Sequence, residues 1–275
     1  MSKFIDLCLF ETEEQKKLEN LPVWELAACR FNDFLNRSLP ITQRIPRIIH
    51  QIWLGSPVPE AYKTFMQSWK LYHPDWEYIL WDEEKIKRLG LKNKIAYNLS
   101  PSYGIKSDIA RYEILYRFGG IYVDTDFECL KNFEPIIEGC GFFAGHSNGA
   151  TIHIINALIG TYPQNFFFEE LLEATKRPLF STDGMKVINH SGPGLFTELF
   201  IKNMTIDLSA VIFPSLYFYP YPNYDLAKKL DIETIKRVYP SQESYAIHYW
   251  EASWLKNTFI ITIKRTIKKL LGVHN

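Results

Sequence analysis

Residues 104–129, GIKSDIARYEILYRFGGIYVDTDFEC, place an Asp and an Arg one helical turn apart, then a Gly-Gly break, then a short run ending in Asp-Thr-Asp. No other segment constrains the fold as much. Ile105, Ile109, Tyr112, Leu115 and Tyr116 recur at helical spacing and predict one apolar stripe on a helix. Gly119 and Gly120 follow where a left-handed cap and a tight turn would end it. Ile121, Tyr122 and Val123 are strand formers that can be buried on both sides, and they run straight into the acids. Side chains alternate along a strand, so Asp124 and Asp126 are expected on one face and Thr125 on the other. Acids at the C-terminal end of a core strand lie where open α/β sheets hold their ligands.

Two carboxylates so placed can share one hard divalent cation. Mg²⁺ and Mn²⁺ take oxygen ligands and keep positions open for water or phosphate oxygens, which suits a nucleotide diphosphate better than a buried structural ion. By itself an Asp-x-Asp also fits two solvated acids at a strand end. Its context favours the metal. Asp108 and Arg111 share a helix face, either as a surface ion pair or as the wall of a pocket, and their position beside the acidic strand favours the pocket.

The string SDIARYEILYRFGGIYVDTDF resembles the defining block of the glycosyltransferases with a DXD sugar-binding motif, glycosyltransferase family 32. That group includes yeast Golgi mannosyltransferases and bacterial capsule or lipopolysaccharide sugar transferases, and it is related to the clostridial glucosylating toxins. The resemblance extends to IPRIIHQIWLG at 45–55 and to HYWEASW at 248–254. Three ordered blocks are far more specific than one motif. The resemblance implies a GT-A fold, a UDP- or GDP-sugar donor, Mn²⁺ or Mg²⁺, and retention of anomeric configuration.

Carried over residue by residue, the resemblance assigns Asp124 and Asp126 to the metal and diphosphate, Asp108 and Arg111 to the donor sugar and ribose, and Trp53 to the nucleobase. Asp108, Arg111 and Asp126 form the expected catalytic set. His248 is the expected third protein ligand, with Ser253 and Trp254 approaching the diphosphate. The toxins carry a Glu and a Ser in this region, so Glu251 stands as the alternative to His248. Each has a bland reading too: a lone His is often a hydrogen-bonded core residue, and a Trp in a first strand is often core. His50, on the same strand, is equally balanced between a structural role and a site.

Around these blocks the chain reads as a mixed central sheet flanked by helices. Strands are expected over 46–54 and 76–81, with a helix over 62–72 between them. With 275 residues, 47% of them hydrophobic, the chain can bury one large core. We divide it into an N-terminal helical appendage (1–44), a GT-A-like catalytic domain (45–254) and a basic amphipathic tail (255–275). In the appendage Thr12 and Gln15 have capping-box spacing, and a second helix starting at Pro22 would carry Trp24, Ala27, Ala28, Phe31, Phe34 and Leu35 on one face. NHSGPG at 189–194 is either a loop admitting a ligand or a plain turn before a helix. Tyr217, Tyr219 and Tyr221, in the Pro-rich stretch 213–225, are expected to turn inward rather than to stack on sugars.

Net charge is zero, with 31 basic and 31 acidic residues, and no basic-aromatic motif for nucleic acid stands out. The tail holds Lys256, Lys264, Arg265, Lys268 and Lys269 and no acid, opposite Phe259, Ile260, Ile263, Ile267, Leu270 and Leu271. That pattern fits an interfacial helix on an anionic membrane, or a terminal helix docked on the protein with its basic face in water. Cys8, Cys29, Cys129 and Cys140 lack metal-ligand spacing and predict reduced thiols. With no sustained apolar run at the N-terminus, the expected location is cytoplasmic, peripheral on the inner face of the plasma membrane.

The activity these readings imply is transfer of a sugar from a nucleotide donor, most simply a UDP-sugar, to a hydroxyl of a growing surface polysaccharide or oligosaccharide. A toxin-like transferase acting on a host protein shares the same block. A non-catalytic sugar- or lipid-binding protein on the same fold is the alternative of another class, and donor hydrolysis separates it from both enzymes.

Overall fold

A computed structural model describes residues 2–9, 22–147, 154–203 and 205–251. Its strands are β1 (Ile48–Ile52), β2 (Glu77–Trp81), β3 (Gly120–Val123), β4 (Phe127–Cys129), β5 (Phe142–His146), β6 (Ile154–Thr161), β7 (Ala210–Phe213) and β8 (Ala246–His248). Six of them form a sheet in the order β2-β1-β3-β6-β5-β7, while β4 and β8 make a separate two-stranded ribbon. β1 runs parallel to β2 and β3, β6 is antiparallel to β3 and β5, and β7 is parallel to β5. This is the mixed α/β fold expected from the sequence, a central mixed sheet flanked by helices.

The first crossover runs through the helix Glu60–Tyr72, which buries Phe65, Met66 and Trp69. Further on, the helix Tyr103–Phe118 starts with the Ser102 hydroxyl accepting from Ile105 N at 3.3 Å. It ends at Gly119, whose N–H donates to Leu115 O at 2.9 Å. Gly119 and Gly120 have φ of 61° and 85°. A Cβ on Gly120 would come within 2.6 Å of Ile48 O, so only glycine lets β3 lie this close to β1.

Along this helix the surface ion pair is excluded: Asp108, Arg111 and Glu113 are buried together with Ile105, Ile109, Tyr112, Ile114 and Leu115. Neighbouring helices cover it, and its charges must find partners inside the protein. A correction concerns the acids: β3 stops at Val123, and Asp124-Thr125-Asp126 form the turn into β4. Phe127 N donates to Asp124 O at 3.3 Å across it. A turn, not strand alternation, brings the carboxylates together.

The N-terminal helices Ser2–Asp6 and Pro22–Leu35 belong to the same hydrophobic core as the sheet. Phe31 packs edge-on against Phe213 of β7 at 5.9 Å between ring centroids. Thr12 and Gln15, and with them the capping box, lie outside the described residues, as do Ser253, Trp254 and the tail. Tyr217, Tyr219 and Tyr221 are buried. All four cysteines are free thiols, and Cys8, Cys129 and Cys140 are buried. No helix among the described residues is long and apolar enough to cross a membrane.

Candidate active site

The Asp-x-Asp turn is held from three sides. Asp124 N donates to Ala157 O of β6 at 2.8 Å, Tyr249 N donates to Asp126 O at 3.0 Å, and the Gln51 amide donates to Asp124 O at 3.1 Å. Phe127 of β4 pairs in register with His248 of β8, which puts the imidazole beside the acids. Ligand atoms of Asp124, Asp126 and His248 all lie within 4.8 Å of one another. His248 Nε2 is 3.2 Å from Asp126 Oδ1. Glu251 is exposed, and its main-chain N–H donates to Asp126 Oδ2 at 2.9 Å.

Electrostatics separates the two acids. Burial pushes the Asp124 carboxyl up, against the pull of the Arg111 guanidinium and with a push from Asp126. Asp126 is also penalised by burial, yet the His248 imidazole and the Glu251 N–H carry it below the ordinary carboxylate range. Two carboxylates this close resist ionising together unless a cation joins them. Two acidic oxygens and one imidazole are also a donor set that Mn²⁺ accepts readily and Mg²⁺ accepts chiefly through the oxygens.

Behind the turn lies a buried charge network. Arg111 Nη2 sits 3.3 Å from Asp108 Oδ1 and 3.2 Å from Asp124 Oδ1. Its Nη1 donates to Asn156 O at 2.6 Å, and its guanidinium carbon lies 4.4 Å from the Tyr122 ring centroid. Asp108 accepts from Asn156 at 3.0 Å and from the Ser191 hydroxyl at 2.8 Å. Burial raises the Asp108 carboxyl to about 6, with Arg111, Ser191 and Asn156 opposing the rise. Tyr122 donates to Asp124 Oδ1 at 2.6 Å.

Of these, Tyr122, Asn156, Ser191 and Gln51 were not singled out as site residues from the sequence. Tyr122 reads as a strand former. Asn156 does carry a signal, a polar residue inside a buried apolar strand, and Ser191 lies in the NHSGPG element flagged for a loop. That element joins the helices Gly184–His190 and Pro193–Asn203, and Ser191 is its inward contact.

Trp53, just past β1, is half-buried against Tyr62 at 4.8 Å between ring centroids. Its indole N–H is buried and has no hydrogen-bond partner among the described residues. His50 instead is fully structural: the Trp81 indole donates to Nδ1 at 3.1 Å, and Nε2 lies 3.0 Å from Gly119 O. Burial lowers its pKa to about 4. The neutral ring thus ties β2 to the Gly-Gly break.

The candidate site is thus an Asp-x-Asp turn at the end of a central strand, backed by a buried Asp–Arg pair. Residues 59–142 match the family described as "Glycosyltransferase sugar-binding region containing DXD motif". An uncharacterized glycosyltransferase of Acanthamoeba polyphaga mimivirus is 32% identical over 200 residues, covering 66% of this chain and 75% of that protein. Inositol phosphoceramide mannosyltransferase 1 of Schizosaccharomyces pombe is 36% identical over 112 residues, 36% of this chain and 34% of the relative, so the chain matches only about a third of that protein's length. Among solved structures, the catalytic domain of alpha-toxin from Clostridium novyi superposes with a TM-score of 0.49 at 10% identity, over 94% of this chain and 89% of the toxin domain. The chain belongs to the DXD glycosyltransferase family.

Proposed function

We propose that this glycosyltransferase uses a divalent metal to move a sugar from a nucleoside diphosphate donor, by preference a UDP-sugar, to a hydroxyl of a growing polysaccharide or lipid-borne glycan, with retention of configuration. The convergence of Asp124, Asp126 and His248 on one point beside the Asp108–Arg111 pair carries this reading. Asp124, Asp126 and His248 would hold the ion, Mn²⁺ or Mg²⁺, whose contribution when bound is to neutralise charge on the departing diphosphate.

The chain's own residues do the rest. Arg111 and Tyr122 keep Asp124 aimed at the cluster, which is preorganisation fixed by folding before any donor arrives. Trp53 offers a half-exposed ring for a base. Asp108, held by Ser191 and Asn156, orients the sugar. The fission-yeast relative, an inositol phosphoceramide mannosyltransferase, supports a lipid-borne acceptor. The tail at 255–275, outside the described residues, would bring the enzyme to an anionic membrane on its cytoplasmic side.

A panel of nucleotide sugars tested by thermal shift, followed by product analysis, tests the reading. One donor should raise the melting temperature only when Mn²⁺ or Mg²⁺ is present, and the transferred sugar should keep its anomeric configuration by NMR. Stabilisation and turnover that persist in excess chelator would remove the metal from the mechanism.

A further inference from the structure

Trp250 lies between His248 and Glu251, and the chemistry above makes no use of it. Its φ is 56°, a left-handed conformation that a bulky aromatic residue keeps only where its surroundings hold it. The indole N–H donates to Tyr221 O at 2.8 Å, and the ring packs on Tyr219 at 5.7 Å. From this turned backbone the next N–H, that of Glu251, reaches Asp126 Oδ2 at 2.9 Å.

The same indole lies 4.1 Å, centroid to centroid, from the His248 imidazole. Phe127 stacks on that imidazole at 4.3 Å with only 6° between the planes. A metal-binding histidine is ordinarily oriented through its second ring nitrogen, by a carboxylate, a carbonyl or a water. In His248, Nε2 faces Asp126, and Nδ1 is buried with no partner among the described residues. Two aromatic rings stand where a hydrogen bond normally does the orienting.

We propose that Trp250 is the positioning residue of the metal cluster. Its ring, with that of Phe127, holds the His248 imidazole toward Asp124 and Asp126, and its left-handed backbone delivers the Glu251 N–H to Asp126. The inference rests on the metal reading of these three residues and names what keeps their geometry in place.

Mn²⁺ binding to the full chain, followed by calorimetry and by the electron paramagnetic resonance of free Mn²⁺, tests it. Trp250→Gly tolerates the left-handed backbone and removes only the ring, so it should weaken Mn²⁺ binding by about 10-fold or more, the scale of lost orienting contacts at metal sites. Trp250→Phe should recover most of that loss. In a His248→Ala background Trp250→Gly should add little, because the ring acts through the imidazole. An undiminished affinity in Trp250→Gly, or an equal further loss without His248, overturns the role of Trp250. Absence of any Mn²⁺ site in the unaltered protein, or one indifferent to Asp126→Asn, overturns the metal reading and this inference with it. Trp250→Leu, which fills the space without a flat ring, carries the same cycle if the glycine variant does not fold.

Discussion

Asp126 shows how one side chain carries several demands. It is buried, paired with His248 and capped by Glu251 N–H, whereas an exposed acid at a strand end would be free of such ties. Asp126→Asn keeps the shape and an acceptor oxygen but loses the charge, so metal-dependent turnover should vanish, with a stability cost of about 1–3 kcal/mol from the broken buried pair. Turnover assays and urea titration of the same variant check both halves. Asp108 sets a pH limit. Its carboxyl is raised to about 6 from the ordinary 3.8, so the acid limb of kcat/KM is expected near pH 6 if the ionised form is needed. Ser191→Ala removes a donor that favours the ionised form and should move that limb to higher pH. The linkage to stability runs the opposite way: a raised carboxyl contributes stability below about pH 3.8 that is lost as pH rises through about 6. Trp53→Ala should weaken nucleotide binding by roughly 1–3 kcal/mol, the worth of a stacked base, read by calorimetry with the free nucleotide.

At the scale of elements, the Gly-Gly break decides where the acids stand. Gly120 has φ 85° and its missing Cβ leaves room for Ile48 O, so β3 can pair with β1 and end at the site. Gly120→Ala combines backbone strain with a clash against main chain and should cost about 2 kcal/mol or more. Chemical denaturation measures that, and a parallel loss of Mn²⁺ affinity would show that the turn moves with the strand. The ribbon β4–β8 works at the same scale. By pairing Phe127 with His248 it brings the end of the described chain to the acids that follow β3.

For the whole molecule, the N-terminal helices and the sheet share one core. Phe31 is fully buried between Phe4, Phe34, Phe213 and Tyr217. Phe31→Ala is therefore expected to cost about 3–5 kcal/mol and to lower a single cooperative unfolding transition. Two separate transitions in that variant, with the site's donor binding intact in the second, would show that the first forty-odd residues form a detachable unit instead. The buried Asp108–Arg111 pair depends on this same enclosure: Ser191 and Asn156 reach it from separate parts of the fold, and each satisfies a lone pair that burial would otherwise leave costly.

The sequence by itself determined the helix, the glycine break, the strand and the acids that follow it, because those are set by spacing among neighbours and by the few residues able to take a left-handed backbone. It also marked Trp53 and His248 through ordered blocks. It could not show that Asp124 and Asp126 meet across a turn, since a strand with the same residues also puts them on one face. Nor could spacing place Asn156 and Ser191 around Asp108, or fix Trp250 in its left-handed turn. Those contacts join residues distant in the chain, and they exist only once strand register and helix packing have chosen which buried polar groups face each other. Local periodicity is written residue by residue; partnership across the core is decided by folding.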